Sequence, residues 1–365
     1  MKNIMFYFGV PIIALSLTSC LENLSITQPD FPIISSVELL IQIENNGDPF
    51  NSLDAPFIIE AEEVFNNINS YLLFDIRSEE LFASGHIEGS IINIQHSNLL
   101  DYFETNYTIT NPKIVLISET GQAAAYYTCL LRLYGIDNVF CLYYGMASWN
   151  TAFAQAWYDG LDKYNNLGIF VNTTFPKPIG GNYPGIVLPD SIESIAELKQ
   201  ERIIDLMNSD FYETIHHNTT HTNSILFKDV IGMIHSNPDG YFLVCYGDLG
   251  LYYYFKSSNV LLNGHPQDAV LYNAITPIPE FRSTGYLHTL PSNKTIVIYS
   301  YNGFYSATAT AYLKLLGYAV ISVLFGMNNI DYNRMTDPDS HSYDWLNKWA
   351  FTSEVIKDYP FVTNM

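Results

Sequence analysis

Three stretches decide how this chain folds: YLLFDIRSEELFASGHIEGSIINI from Tyr71 to Ile94, IVLISETGQAAAYYTCLLRLYGI from Ile114 to Ile136, and VFCLYYGMASW from Val139 to Trp149. A short apolar run ends in Asp75-Ile76-Arg77, a helical pattern follows, and Gly85-His86-Ile87 with Gly89 leads into a second apolar run. A third run enters a glycine-containing turn and leaves it as an alanine-rich helix, with Gly135 just past the last leucine. Apolar runs of this length alternating with helical patterns predict βαβ units and a parallel sheet. The turn Ser118-Glu119-Thr120-Gly121-Gln122-Ala123-Ala124 then lies at the carboxyl end of a strand and the start of a helix, where such sheets place their chemistry.

Outward from this stretch, Phe57 to Glu60 opens the first unit, Ala61 to Asn69 reads as a short helix and Ala152 to Tyr164 as a helical end. Before it, Val37 to Ile43 reads as a strand, and Asn46 to Pro56 as a turn-rich connector. After it, Leu167 to Ser191, rich in proline and glycine, reads as an extended connection, and Ile192 to Met207 as a helix. A second unit comes next. It has strands at Ile225 to Phe227, Tyr241 to Tyr246 and Ile296 to Ser300, with helices at Lys228 to His235 and Gly303 to Leu316.

The two units align by position. Ser118 and Ser300 stand 182 residues apart, as do Gly121 and Gly303, Leu131 and Leu313, Leu133 and Leu315, and Gly135 and Gly317. Gly145-Met146 and Gly326-Met327 match at an offset of 181. A gapless match across a whole turn and helix, with the same glycines at both ends, is the mark of a tandem repeat.

The chain of 365 residues is long enough for two ordinary domains with real cores. Its first residues are a separate matter. Met1-Lys2-Asn3 is a short basic start, Ile4 to Leu17 is mostly apolar, and Leu17-Thr18-Ser19-Cys20 closes it. Such a segment has the form of a secretory signal rather than a membrane span. Leu-Thr-Ser-Cys resembles a bacterial lipobox, which implies cleavage before Cys20 and a lipid on its thiol. The formal charge is −21, and loss of Lys2 with the signal leaves −22. That sign argues against nucleic acid and against attachment to anionic lipid through basic patches. His216, His217 and His221 fall in a polar, unperiodic stretch without a further ligand at a recognisable spacing, so no metal is expected. No cofactor is expected either. With Cys20 committed to lipid, Cys129, Cys141 and Cys245 remain; one disulfide among them is open to an exported protein.

Asp75, Arg77, Glu80, Gly85, His86 and Gly89, with the turn from Ser118 to Ala124 and Gly145-Met146-Ala147-Ser148-Trp149, resemble a rhodanese (sulfurtransferase) domain. The second half resembles it more weakly, and the whole is similar to tandem-domain rhodaneses. The resemblance implies an α/β fold of two rhodanese-like domains, at 57–165 and 222–345. Around them lie a signal peptide at 1–19, a tether and extension at 20–56, an interdomain segment with a helix at 166–221 and a tail at 346–365. It also implies a cysteine at the head of each turn, whose thiolate carries sulfur as a persulfide, steadied by N–H groups at a helix N-terminus. Here the matching residues are Ser118 and Ser300, and Ala123 and Ala124 stand where basic or hydroxyl side chains are common. A hydroxyl cannot form a persulfide, and neither turn supplies an adjacent histidine as base. Glu119 adds a negative charge where an anionic donor would approach. Cys245, matching Asp75, is expected to face structure, and Asp75, Arg77, Gly85, His86 and Gly89 to serve as scaffold. No catalytic residue is therefore expected.

Three function classes are compatible with these features. The leading expectation is a lipid-anchored, non-catalytic envelope protein that binds a partner or small ligand, which calls for an open cavity over a turn. A structural component of an envelope complex would instead fill the second turn, Ser300-Tyr301-Asn302-Gly303-Phe304-Tyr305-Ser306, with its own aromatic rings. An anion-processing enzyme would place a base within reach of Ser118 or Ser300.

Overall fold

The computed structural model describes residues 32–89, 91–106, 112–162, 168–213, 223–255, 261–262, 264–275, 279–340 and 343–363. The expected signal and lipobox with Cys20, the three histidines at 216, 217 and 221, and the last residues of the first expected domain lie outside them.

Two five-stranded sheets form, and every strand pairing within them is parallel. The first holds β1 (Ile58–Ile59), β2 (Leu72–Asp75), β3 (Ile91–Asn93), β4 (Ile114–Ile117) and β5 (Val139–Leu142), in the order β1-β5-β4-β2-β3. The second holds β6 (Ser224–Ile225), β7 (Tyr241–Gly247), β8 (Val270–Asn273), β9 (Thr295–Tyr299) and β10 (Val320–Val323), in the order β6-β10-β9-β7-β8. The two orders are the same. Registers repeat as well, since Asp75 pairs with Ile117 in the first sheet and Cys245 with Tyr299 in the second. The molecule is thus an α/β fold built twice, each sheet flanked by helices.

Four helices set how the two units meet: α1 (Ser36–Asn45), α2 (Gln122–Tyr134), α3 (Ile195–Met207) and α4 (Phe304–Leu315). The α2 and α4 helices, which continue from the two turns, pack along each other, and α3 lies against both. All of α2 except its last residue is buried. An alanine-rich helix suits that place, because small side chains let neighbours approach on every face. One apolar core consequently runs through both units, while a smaller cluster around Leu73, Val115, Met146 and Trp149 fills the far face of the first.

One expectation near the N-terminal end changes. Val37 to Ile43, read as a strand, lies within α1. Its apolar run fits either period, and burial of Leu39, Leu40 and Ile43 on one side selects the helix. Ser35 caps it, and α1 rests on α3. At the other end, residues 358–362 lie against the first unit. Phe361–Val362 pairs antiparallel with His86–Ile87, the indole of Trp149 donates to the carbonyl of Pro360 (2.8 Å), and Tyr359 stacks on Phe65. No helix among the described residues is long and apolar enough to cross a membrane.

Candidate functional site: two closed turns

Each turn leads from a strand end into a helix through a glycine with positive φ, +90° at Gly121 and +91° at Gly303. In the first, the Ser118 hydroxyl accepts from the amides of Gly121 (3.1 Å) and Ala124 (3.2 Å). Its proton goes to Glu213 Oε1 at 3.0 Å. That same oxygen accepts from the Thr120 hydroxyl (2.8 Å) and the Ala123 amide (2.7 Å), while Oε2 accepts from the Thr120 amide (3.1 Å). A carboxylate from the interdomain segment therefore occupies the concavity of N–H groups at the start of α2, the kind of place that favours an anion. Ser118 is 2% exposed and Glu213 6%.

Glu119, next in the turn after Ser118, is half-buried. Burial, then the nearby charge of Glu213, lift its carboxyl to about 7, with Arg77 opposing the rise. Arg77 itself is engaged with Asp75 (2.6 Å) and donates to the carbonyl of Gly85 (2.8 Å). His86 faces the Phe82 carbonyl through Nδ1 at 2.9 Å and stacks on the Phe82 ring.

The second turn is filled differently. The Ser306 amide donates to the Ser300 hydroxyl (3.1 Å), the counterpart of the Ala124 contact, and the hydroxyls of Ser300, Ser306 and Ser322 form a chain. Tyr301, at the position of Glu119, is buried and stacked on Trp349. Phe304 is buried with its ring edge-on to Tyr143, and Asn302 donates to the hydroxyls of Tyr143 (2.8 Å) and Tyr144 (3.3 Å). Tyr305 is only partly buried.

The described thiols are elsewhere. Cys129, Cys141 and Cys245 are free and fully buried. Burial drives all three up, Cys245 to about 12. None stands at the mouth of a turn.

Two residues escaped the sequence. Glu213 lies in the expected interdomain segment, with no motif around it, and only folding brings it to Ser118. Arg334 replaces an arginine the second unit lacks beside Cys245. It is buried, donates to the carbonyl of Gly264, the counterpart of Gly85, and reaches those of Leu251 and Tyr253 (2.7 Å each). The inserted stretch from Gly250 to Asn263, described in part, folds onto this arginine, and Tyr252 from it stacks on His265 as Phe82 does on His86.

Residues 60–152 match the family model of the rhodanese-like domain. Among solved structures, 27% of the chain is similar to 89% of a rhodanese-related protein from Thermoplasma volcanium, at 23% identity and a TM-score of 0.23. A 3-mercaptopyruvate sulfotransferase from Escherichia coli is similar over 73% of this chain and 97% of its own (14% identity, TM-score 0.25). A thiosulfate sulfurtransferase from Pseudomonas aeruginosa is similar over 74% of this chain (10% identity, TM-score 0.23), and there the likeness spans 41% of that protein. No curated protein matches the sequence. None of these likenesses bears on what this chain does; with the two sheets, the family match gives a rhodanese-like fold, built twice.

Proposed function

We propose that this chain is a non-catalytic rhodanese-like protein of the bacterial cell envelope, held to a membrane by lipid on Cys20, in which both turns have become internal joints. The observation that carries this reading is the Glu213 carboxylate, taking four hydrogen bonds where a transferable anion would sit. The second turn supports it, because Tyr301 and Phe304 occupy its surroundings. Of the two non-enzymatic classes, the geometry favours a structural component over a receptor that binds through its turns. A partner in the envelope would meet the outer surface.

One contact favours an enzyme: Glu213 Oε1 lies at 3.0 Å from Ser118 Oγ, within reach for a base. Two facts weigh against it. The oxygen that would take the proton already accepts from Thr120 and Ala123, and the closed turn leaves no place for an electrophile.

The test has two arms. In a bacterial host, labelled palmitate should enter the wild-type chain and fail to enter Cys20→Ser; equal labelling of both overturns the anchor. The lipid-free protein, incubated with thiosulfate and weighed intact, should gain no sulfur atom. A sulfur adduct lost on Cys245→Ala overturns the non-catalytic reading.

A further inference from the structure

Residues 357–362 run across the first unit and are held there at successive positions. The Lys357 amide donates to the Ser148 carbonyl and the Tyr359 amide to that of Trp149, both at 2.9 Å. In return the Trp149 indole donates to the Pro360 carbonyl (2.8 Å) and the Asn150 side chain to that of Tyr359 (2.9 Å). Phe361 and Val362 then pair with Ile87 and His86, which among the described residues meet no other strand. Side chains are engaged too. Asp358 accepts from the Thr151 amide (2.9 Å) and hydroxyl (2.7 Å), the Tyr359 ring lies flat on Phe65 with centroids 4.0 Å apart, and the Phe361 ring stands edge-on to Phe153 at 4.9 Å. A side chain on Gly85 would collide with both of the last two rings, its Cβ falling 2.6 Å from Phe153 and 2.9 Å from Phe361.

We propose that the groove beneath this segment is a recognition site for an extended stretch of another protein chain, of the pattern acidic–aromatic–proline–aromatic, and that Asp358-Tyr359-Pro360-Phe361 holds the site in that partner's absence. The partner's chemistry is set by the segment seated there. In strand addition of this kind, backbone hydrogen bonds to a free sheet edge supply affinity and flanking side chains select the sequence. Thr151 takes the acid, Phe65 the first ring and Phe153 the second. Pro360, exposed and without an N–H, offers the groove only its carbonyl, so proline there loses no bond.

Two features separate this groove from ordinary packing. Its floor is made without the segment, because Ile87 and Trp149 belong to the smaller core cluster of the first unit, and Tyr359 and Phe361 only pack against that cluster. The segment is also shallow. None of residues 357–363 is buried, and the last buried residue before them is Phe351, so the segment lifts away without opening a core. Its ladder spans two residues, and the Asp358 contacts are exposed, where their net worth is small. Departure leaves Phe65, Trp149 and Phe153 beside an unpaired strand edge, a surface that proteins keep covered. The inference does not rest on what either turn does.

The probe is a fluorescein-labelled peptide of residues 357–365, KDYPFVTNM, titrated by polarisation against the mature, lipid-free chain. The full-length variant Tyr359→Ala/Phe361→Ala, its own segment loosened, should bind the peptide about tenfold or more tightly than the wild-type chain, in which the tethered segment competes. Adding Phe65→Ala should weaken that binding about fivefold or more through loss of the ring contact. No binding to the folded variant, or binding that Phe65→Ala leaves unchanged, overturns the proposal. Amide hydrogen exchange on the wild-type chain tests it without any variant. The Tyr359 amide should exchange about a hundredfold or more faster than amides inside α4, by local release; protection equal to that of α4 makes the segment a fixed part of the fold and overturns the proposal. Dimers of the wild-type chain that vanish in Tyr359→Ala/Phe361→Ala assign the groove to a second copy and overturn the choice of partner.

Discussion

Gln122 and Phe304 hold equivalent positions in the two units, and each closes the turn of the other. The Gln122 side chain lies where a Cβ on Gly303 would stand, and its Oε1 accepts from the Phe325 amide at 2.7 Å. The Phe304 ring reaches to 2.6 Å from where a Cβ on Gly121 would be. The repeat thus interlocks around a local two-fold relation, and the glycines at its centre have both a backbone and a packing reason to stay.

Gly303→Ala should therefore destabilise the protein by about 2–4 kcal/mol, combining the cost of a left-handed alanine with overpacking. Gly47, at φ +99° with nothing within 4 Å of its missing Cβ, is the control; alanine there should cost only about 1–2 kcal/mol. Urea denaturation of both variants measures the difference, and equal losses would mean that the contact with Gln122 contributes nothing.

Removing the carboxylate from the first turn should be costly as well. Glu213→Ala leaves the amides of Thr120 and Ala123 and the hydroxyls of Ser118 and Thr120 without their acceptor. The expected loss is about 2–4 kcal/mol. Glu38 is an exposed acidic residue in the first turn of α1, and Glu38→Ala should change the urea midpoint little.

Glu119 gives stability a definite pH dependence. Its carboxyl is raised from 4.5 to about 7 in the folded chain, so the folded state keeps a proton that the unfolded state has already released. Stability therefore declines as pH climbs through that window, and the full penalty is present above it. Its size is at most about 3 kcal/mol, and less with solvent screening. Glu119→Gln should flatten this part of the profile and be the more stable form at pH 8, as read from denaturant midpoints across pH.

Thiol chemistry should be silent in the native state. With Cys129, Cys141 and Cys245 buried and shifted upward, a disulfide reagent such as DTNB should label none of them on the timescale of minutes at pH 8, and all three in urea. Rapid native labelling of Cys245 would contradict the packing around β7.

Much of the fold was legible in the sequence, because repeated glycines and strand-length apolar runs are local signals. The matched offsets at Ser118, Gly121 and Gly135 placed both turns and both long helices to within a residue or two. The failures share a cause. Val37 to Ile43 has no decisive period, and its helical state depends on what α1 packs against. Glu213 and Arg334 act on residues 95 and 70 positions away, a distance over which no local pattern reports. For the same reason the sequence left open whether the serine-headed first turn is an open cavity, whereas the folded chain supplies its own anion.

The most direct measurement is thiosulfate–cyanide turnover by the mature, lipid-free protein. With hydroxyls at both turn heads and Glu213 seated in the first, the expected rate is that of a heat-killed control. Turnover clearly above that control, and abolished by Cys245→Ala, would contradict the non-catalytic reading at its root.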